Sequence, residues 1–187
     1  MKTIAFFLEE LSAEKMLEGI LPKIVPEEIS IKYIKFNGKQ DLEKNLLKKL
    51  KHWNLPDTHF VILRDQDRGD CLQVKSNLQD ICRQAGKENV LVRIACRELE
   101  SFYLGDLEAV ERALDLPGLS SQQEKKKYRA PDNLQNPCTE LEALTNFQYQ
   151  KVSGSREISP LLNLSNNRSE SFKQLVLGLQ RMISNLP

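Results

Sequence analysis

His59-Phe60-Val61-Ile62-Leu63 is a short continuous apolar run that stops abruptly in charge, at Arg64-Asp65-Gln66-Asp67-Arg68-Gly69-Asp70. A strand without polar alternation suits the centre of a parallel sheet, where helices cover both faces. The same grammar recurs on either side of it. Lys2 to Leu8 is β-prone and ends in Glu9-Glu10; Ser12 can then cap a helix from Ala13 to about Leu21, with Met16, Leu17, Ile20 and Leu21 on its apolar face. Ile29 to Phe36 reads as a strand, Asn37-Gly38 as a turn, and Asp41 to Lys51 as a basic amphipathic helix with Leu42, Leu46, Leu47 and Leu50 inward. A helix from about Asp70 to Ala85, closed by Gly86, leads into Val90 to Ala95, a fourth strand ending at Cys96-Arg97-Glu98. Strands alternating with helices predict an α/β domain, a mostly parallel four-stranded sheet with right-handed crossovers.

After Phe102-Tyr103-Leu104-Gly105 the pattern changes. Asp106 to Leu114 reads as helix, whereas Leu116 to Pro137, with the basic run Lys125 to Arg129, reads as a mobile or partner-ordered loop. A helix around Thr139 to Thr145, a turn at Gly154 and an amphipathic helix from Ser169 to Ile183 complete the chain. The expected division is a metal-binding core over 1–116 and a mainly helical C-terminal extension over 117–187, packed on the core.

Bulk properties exclude several classes. The 187 residues suffice for a real core, and a net charge of +1 with 28% charged residues gives no general attraction to polyanions. Cys71, Cys82, Cys96 and Cys138 form no CxxC pair, which fits free thiols in a reducing cytoplasm. The apolar run Ile4 to Leu8 is too short for a signal peptide or a membrane span. Trp53 reads as a packing residue between helix and strand.

Three acidic clusters fall at strand ends: Glu9-Glu10, Asp65-Gln66-Asp67 with Asp70, and Glu98 with Glu100. In an open parallel sheet ligands bind beyond the carboxyl ends of the strands. Crowded carboxylates repel, and a hard divalent cation, Mg²⁺ or Mn²⁺, relieves that repulsion with oxygen ligands alone. A lone DxD is weak evidence, and Asp67 or Asp70 could simply cap the following helix. Coincidence with Glu9 and Glu98 favours the metal reading. Glu98 and Glu100 would face one side of an extended strand end; Glu98 is the expected ligand and Glu100 an expected salt-bridge partner of Arg97 or Arg93.

Strand–Glu followed by strand–Asp-x-Asp resembles the Toprim domain of topoisomerases, primases and OLD (overcoming-lysogenisation-defect) nucleases. Glu9 takes the position of the family's glutamate, and Asp65 and Asp67 that of its DxD. Toprim glutamates are usually followed by glycine, whereas Glu10 follows here, so either Glu9 or Glu10 can be the ligand. Four strings, Phe7-Leu8-Glu9-Glu10, Leu63 to Cys71, Arg97 to Asp106 and Lys151 to Arg156, together resemble a bacterial Toprim-like family of unknown function. Its members are often encoded beside an AAA-type ATPase of the OLD or DNA-repair kind. The resemblance implies a Mg²⁺- or Mn²⁺-dependent phosphodiesterase or nuclease acting on nucleic acid with that ATPase, in defence against phage or mobile elements. Glu9, Asp65, Asp67 and Glu98 would be catalytic, within a ligand pool that adds Glu10, Asp70 and Glu100.

Phosphodiester chemistry also needs cations to hold phosphates. Arg64 and Arg68 flank the DxD, Lys151 and Arg156 flank Gly154 in an expected loop, and Ser169 can contribute at the N-terminus of the last helix. Arg64 and Arg68 could instead neutralise the acidic edge, and Ser169 could be an N-cap. Two other readings compete: a non-catalytic metal-binding regulatory module of the ATPase, and a receiver-like phosphoacceptor domain. The receiver reading expects a lysine after a fifth strand.

Overall fold

The computed structural model describes residues 2–186. Four β/α units come first: β1 (Thr3–Leu8) and α1 (Leu11–Ile20), β2 (Ser30–Lys35) and α2 (Lys39–Lys51), β3 (Thr58–Asp65) and α3 (Cys71–Gln84), then β4 (Val90–Ala95) and α4 (Glu100–Leu104). Helices α5 (Leu107–Leu114), α6 (Pro137–Leu144), α7 (Lys151–Ile158) and α8 (Glu170–Ser184) follow. The sheet is all parallel, in the order β2-β1-β3-β4. Leu8 pairs with Lys35 and Leu63, and Asp65 with Ala95, so the carboxyl ends of all four strands share one edge.

Period-2 alternation divides the apolar side chains between two layers. Phe6, Leu8, Val61 and Leu63 face α1 and the C-terminal helices; Ala5, Phe7, Phe60, Ile62 and Ile94 face α2 and α3. Every residue of β1 is buried, which its neighbours on both edges and both faces require. Trp53 closes the second layer, tilted against Phe7 and edge-on to Phe60, with its indole N–H donating to Thr58 at 3.0 Å.

Residues beyond 116 do not form a separate core. Tyr149, Ile158, Phe172 and Leu175 share one apolar cluster with Phe6, Leu17 and Phe102. Helix α1 meets Ser159-Pro160 so closely that a Cβ on Gly19 would lie 2.7 Å from the Pro160 backbone nitrogen. Glycine is what permits this approach.

Three expectations need correction. Leu116 to Pro137 is not a loose loop but a chain of three short 3₁₀ turns. Leu119 and Tyr128 are sunk into the core, and the Gln123 amide donates to the carbonyls of Leu104 (3.1 Å) and Tyr128 (2.8 Å). Helix α1 starts two residues early, with Glu10 at its N-cap and Ser12 inside it. Gly154 lies within α7 rather than in a turn, because a Cβ there would sit 2.4 Å from the Tyr149 ring. That glycine serves close packing, which sequence alone does not distinguish from turn chemistry.

Candidate functional site

Glu9 is the first residue beyond β1 and Asp65 the last of the adjacent β3, so parallel pairing sets them side by side. The Asp65 backbone N–H donates to Glu9 Oε2 at 3.2 Å. Arg64, the preceding residue, is buried, with its guanidinium 3.9 Å from Glu9 Oε2 and donating to Glu43 Oε1 at 2.6 Å. Burial raises the Glu9 pKa; the Asp65 N–H opposes this, Asp67 adds repulsion, and Arg64 relieves part of it.

Asp65 is the most perturbed of these carboxyls. Burial lifts it well above its ordinary value of 3.8, repulsion from Glu100, then Glu9 and Glu10, lifts it further, and Lys151 offsets some of the rise. Glu100 opens α4 with no exposed surface. Its Oε1 accepts from the Tyr149 hydroxyl at 2.9 Å, while its Oε2 is buried with no hydrogen-bond partner. Burial raises the Glu100 pKa, against the opposing pull of Lys151 and Tyr149. The Tyr103 hydroxyl, on the same helix, is a second buried group without a partner.

Lys151 opens α7 and reaches this group from the other side. Its ammonium lies 3.6 Å from Glu10 Oε1. Burial would lower its pKa, but the attraction of Glu100 and Glu10, with Cys138 and Asp65, prevails and holds it above the ordinary lysine value. The edge therefore sets Glu10, Asp65 and Glu100 near one protonated amine, with Glu9 beside Arg64.

The remaining expected residues have other partners. Asp67, at a left-handed φ of 55°, turns its carboxylate to Lys39 at 2.8 Å. Its N–H donates to the carbonyl of Arg97 at 2.8 Å, and Arg97 is itself left-handed at 62°. Asp70 is the N-cap of α3, accepting from Gln73 N–H at 2.8 Å. Glu98 accepts from the Cys138 backbone N–H at 2.7 Å, at the positive end of α6. Glu100 makes no ion pair with Arg93 or Arg97, and Glu98 is engaged at the N-terminus of α6. The chain has already turned helical at Leu99, so the two side chains diverge. Ser169 is wholly buried as the N-cap of α8, accepting from Phe172 N–H and donating to Asp132 at 2.6 Å, which withdraws it from phosphate binding. Lys151 and Arg156 lie on a helix, not in a loop; Arg156 and Arg68 are exposed. Tyr149 and Lys39 went unnoticed in the sequence, where Gln148-Tyr149-Gln150 and Gly38-Lys39 carry no distinguishing pattern.

A family model, Domain of unknown function (DUF4276), matches residues 8–180. The chain belongs to that family. The DUF4276 match runs from the end of β1 into α8, so it takes in both halves of the expected division. No curated protein matches the chain. Among solved structures it is similar to the C-terminal region of the Xanthomonas campestris pv. campestris OLD protein. That likeness has 13% identity and a TM-score of 0.48, over 97% of this chain and 95% of the other; it carries no chemistry across.

Glu9, Glu10, Asp65 and Glu100 offer only oxygen donors, the set that hard divalent cations prefer. Glu100 Oε2 is a buried carboxyl oxygen without a hydrogen-bond partner, and Asp65 retains some accessible surface. Among the described residues no three carboxylate, imidazole or thiol groups already form a ligand set, so a cation would have to draw these side chains together. By donor chemistry the residues fit one. No helix among the described residues is long and apolar enough to cross a membrane.

Proposed function

We propose that this DUF4276 chain is a divalent-metal-dependent phosphodiesterase of Toprim type that acts on nucleic acid. What supports this reading is that Glu9 and Glu100 both lie near enough to Asp65 to repel its charge, at the carboxyl edge of a parallel sheet, with Asp65 and Glu100 largely desolvated. Like-charged groups held this close in a low dielectric cost stability unless a cation joins them. Asp65, Glu100 and one of Glu9 or Glu10 would hold Mg²⁺ or Mn²⁺, which would polarise a phosphoryl oxygen and activate water. Asp67 stands beside Glu9 and is free to join once Lys39 releases it. Tyr149 fixes Glu100 through its hydroxyl. Lys151, kept protonated by its acidic neighbours, binds a non-bridging phosphate oxygen and balances charge that develops there. The involvement of an AAA-type ATPase and a role in phage defence rest on the sequence resemblance.

One observation favours the non-catalytic module: Lys151 already neutralises part of the acidic charge, as a structural ion cluster would require. The receiver-like reading loses its lysine, because the sheet has four strands and Lys151 opens a helix. The test is hydrolysis of bis(p-nitrophenyl) phosphate and of labelled single- and double-stranded oligonucleotides, with Mg²⁺ or Mn²⁺, with and without the ATPase. Activity lost in Glu100→Gln and Asp65→Asn is expected. Activity equal to wild type in both variants would refute the assignment.

A further inference from the structure

Residues 32–51 carry seven lysines against Asp41 and Glu43, a surplus of five positive charges in a chain whose net charge is +1. The fold gathers part of that surplus on one surface. Helix α2 buries Leu42, Leu46 and Leu50 and turns Lys44, Lys48 and Lys51 outward. Beside them Lys35, Lys48, Lys49 and His52 line a groove of about 430 Å³ between α2 and the end of β2. Asp41 also lines the groove, but its carboxylate is already engaged by Asn37 N–H at 2.9 Å and by the Asn45 amide at 2.6 Å.

Within this stretch Lys35 and Lys39 have carboxylate partners, Glu14 and Asp67. Among the described residues, Lys44, Lys48, Lys49 and Lys51 have none. The helix dipole explains cations in the last turn, at ~0.3–1 kcal/mol each. It does not explain Lys44 at mid-helix, four residues before Lys48, a spacing at which like charges destabilise a helix. Lys39, the first residue of α2, reaches Asp67 at 2.8 Å, so the start of α2 is tied to the acidic edge.

We propose that the outer face of α2, with Lys35, is a track for the nucleic-acid backbone, holding phosphates that flank the one delivered to the carboxylates. This rests on the phosphodiesterase reading and adds the route of the substrate. At 1.5 Å per residue the 13 residues of α2 span about 20 Å, the length of roughly six phosphates of one strand. The chemistry favours nucleic acid over an anionic membrane, because none of the large exposed apolar side chains lies on α2.

The test uses the full chain and the triple variant Lys44→Gln, Lys48→Gln, Lys51→Gln, whose positions are exposed and tolerate glutamine in a helix. Fluorescence anisotropy with single-stranded and duplex oligonucleotides is followed across a salt series in chelator, so that cleavage plays no part. The triple variant should lose about two to three units of salt slope, one counterion or slightly less per lysine, and bind at least tenfold more weakly at low salt. Its hydrolysis of bis(p-nitrophenyl) phosphate should equal that of wild type. Unchanged slope and affinity would overturn the track while leaving the metal site standing, as would loss of small-ester hydrolysis with binding intact. A wild type that binds phosphatidylserine vesicles but no oligonucleotide would overturn it in favour of a membrane surface. Loss of metal-dependent hydrolysis in wild type, with binding as expected, would instead overturn the phosphodiesterase reading alone.

Discussion

Glu100 and Asp65 hold protons more tightly in the folded chain than in an unfolded one, and a sign for pH dependence follows. A carboxyl raised on folding stabilises the fold fully below its unfolded pKa, and that stability is lost as pH rises towards the folded value. Without metal, the melting temperature should therefore fall as pH is raised from about 4, the ordinary carboxyl value, through the raised values of Asp65, Glu100 and Glu9. Asp65→Asn should flatten this decline and raise stability at neutral pH. Thermal scans from acid to neutral pH in chelator check this, and a variant as steep as wild type would remove Asp65 as the source. At this scale the sequence placed Glu9 and Asp65 at strand ends, since an apolar run ending in acid is itself the signal for one. It did not show that Glu98 and Glu100 diverge, because their spacing of two yields one face only if the backbone stays extended, and it turns helical at Leu99. Tyr149 was invisible, since its value lies in a contact across 49 residues.

Among elements, α6 and α7 hold the site from behind. The Glu98 carboxylate caps α6 through Cys138 N–H, so Glu98→Gln should cost about 0.5–2 kcal/mol in denaturant unfolding yet leave any metal response intact. A lost metal response would restore Glu98 as a ligand. Helix α7 presents Lys151 only because Gly154 lets it close on Tyr149. Gly154→Ala should cost about 1–3 kcal/mol through overpacking, and it should lower activity as well by displacing Tyr149 and Lys151 together. Unchanged stability and rate would show that the ring yields freely. Periodicity served the first four β/α units well: β4 falls at Val90 to Ala95 as expected, and α3 ends just before Gly86. Beyond residue 116 it still found α6 and α8, but not the 3₁₀ turns or α7, where Gln123, Tyr128 and Gly154 act through packing rather than a repeating pattern.

For the whole molecule, both faces of the sheet must be covered, and residues beyond 116 supply much of one cover. A fragment of residues 1–116 should fail to unfold cooperatively, since Phe6, Leu17 and Phe102 would lose Ile158, Phe172 and Leu175; a sharp melt monitored by circular dichroism would show that the first part stands alone. The near-zero net charge that argued against polyanion binding conceals an acidic edge joined to a basic helix, a separation that no average reports. The proposed chemistry exists only if the acidic edge is a cation site. Calorimetric titration of Mn²⁺ into the folded protein, paired with thermal scans, tests this directly. Wild type should bind, and at about ten times Kd should gain ~1.4 kcal/mol, a rise of roughly 3–5 °C, while Asp65→Asn combined with Glu100→Gln should bind nothing and gain nothing. Equal heats and equal shifts in wild type and double variant would contradict it.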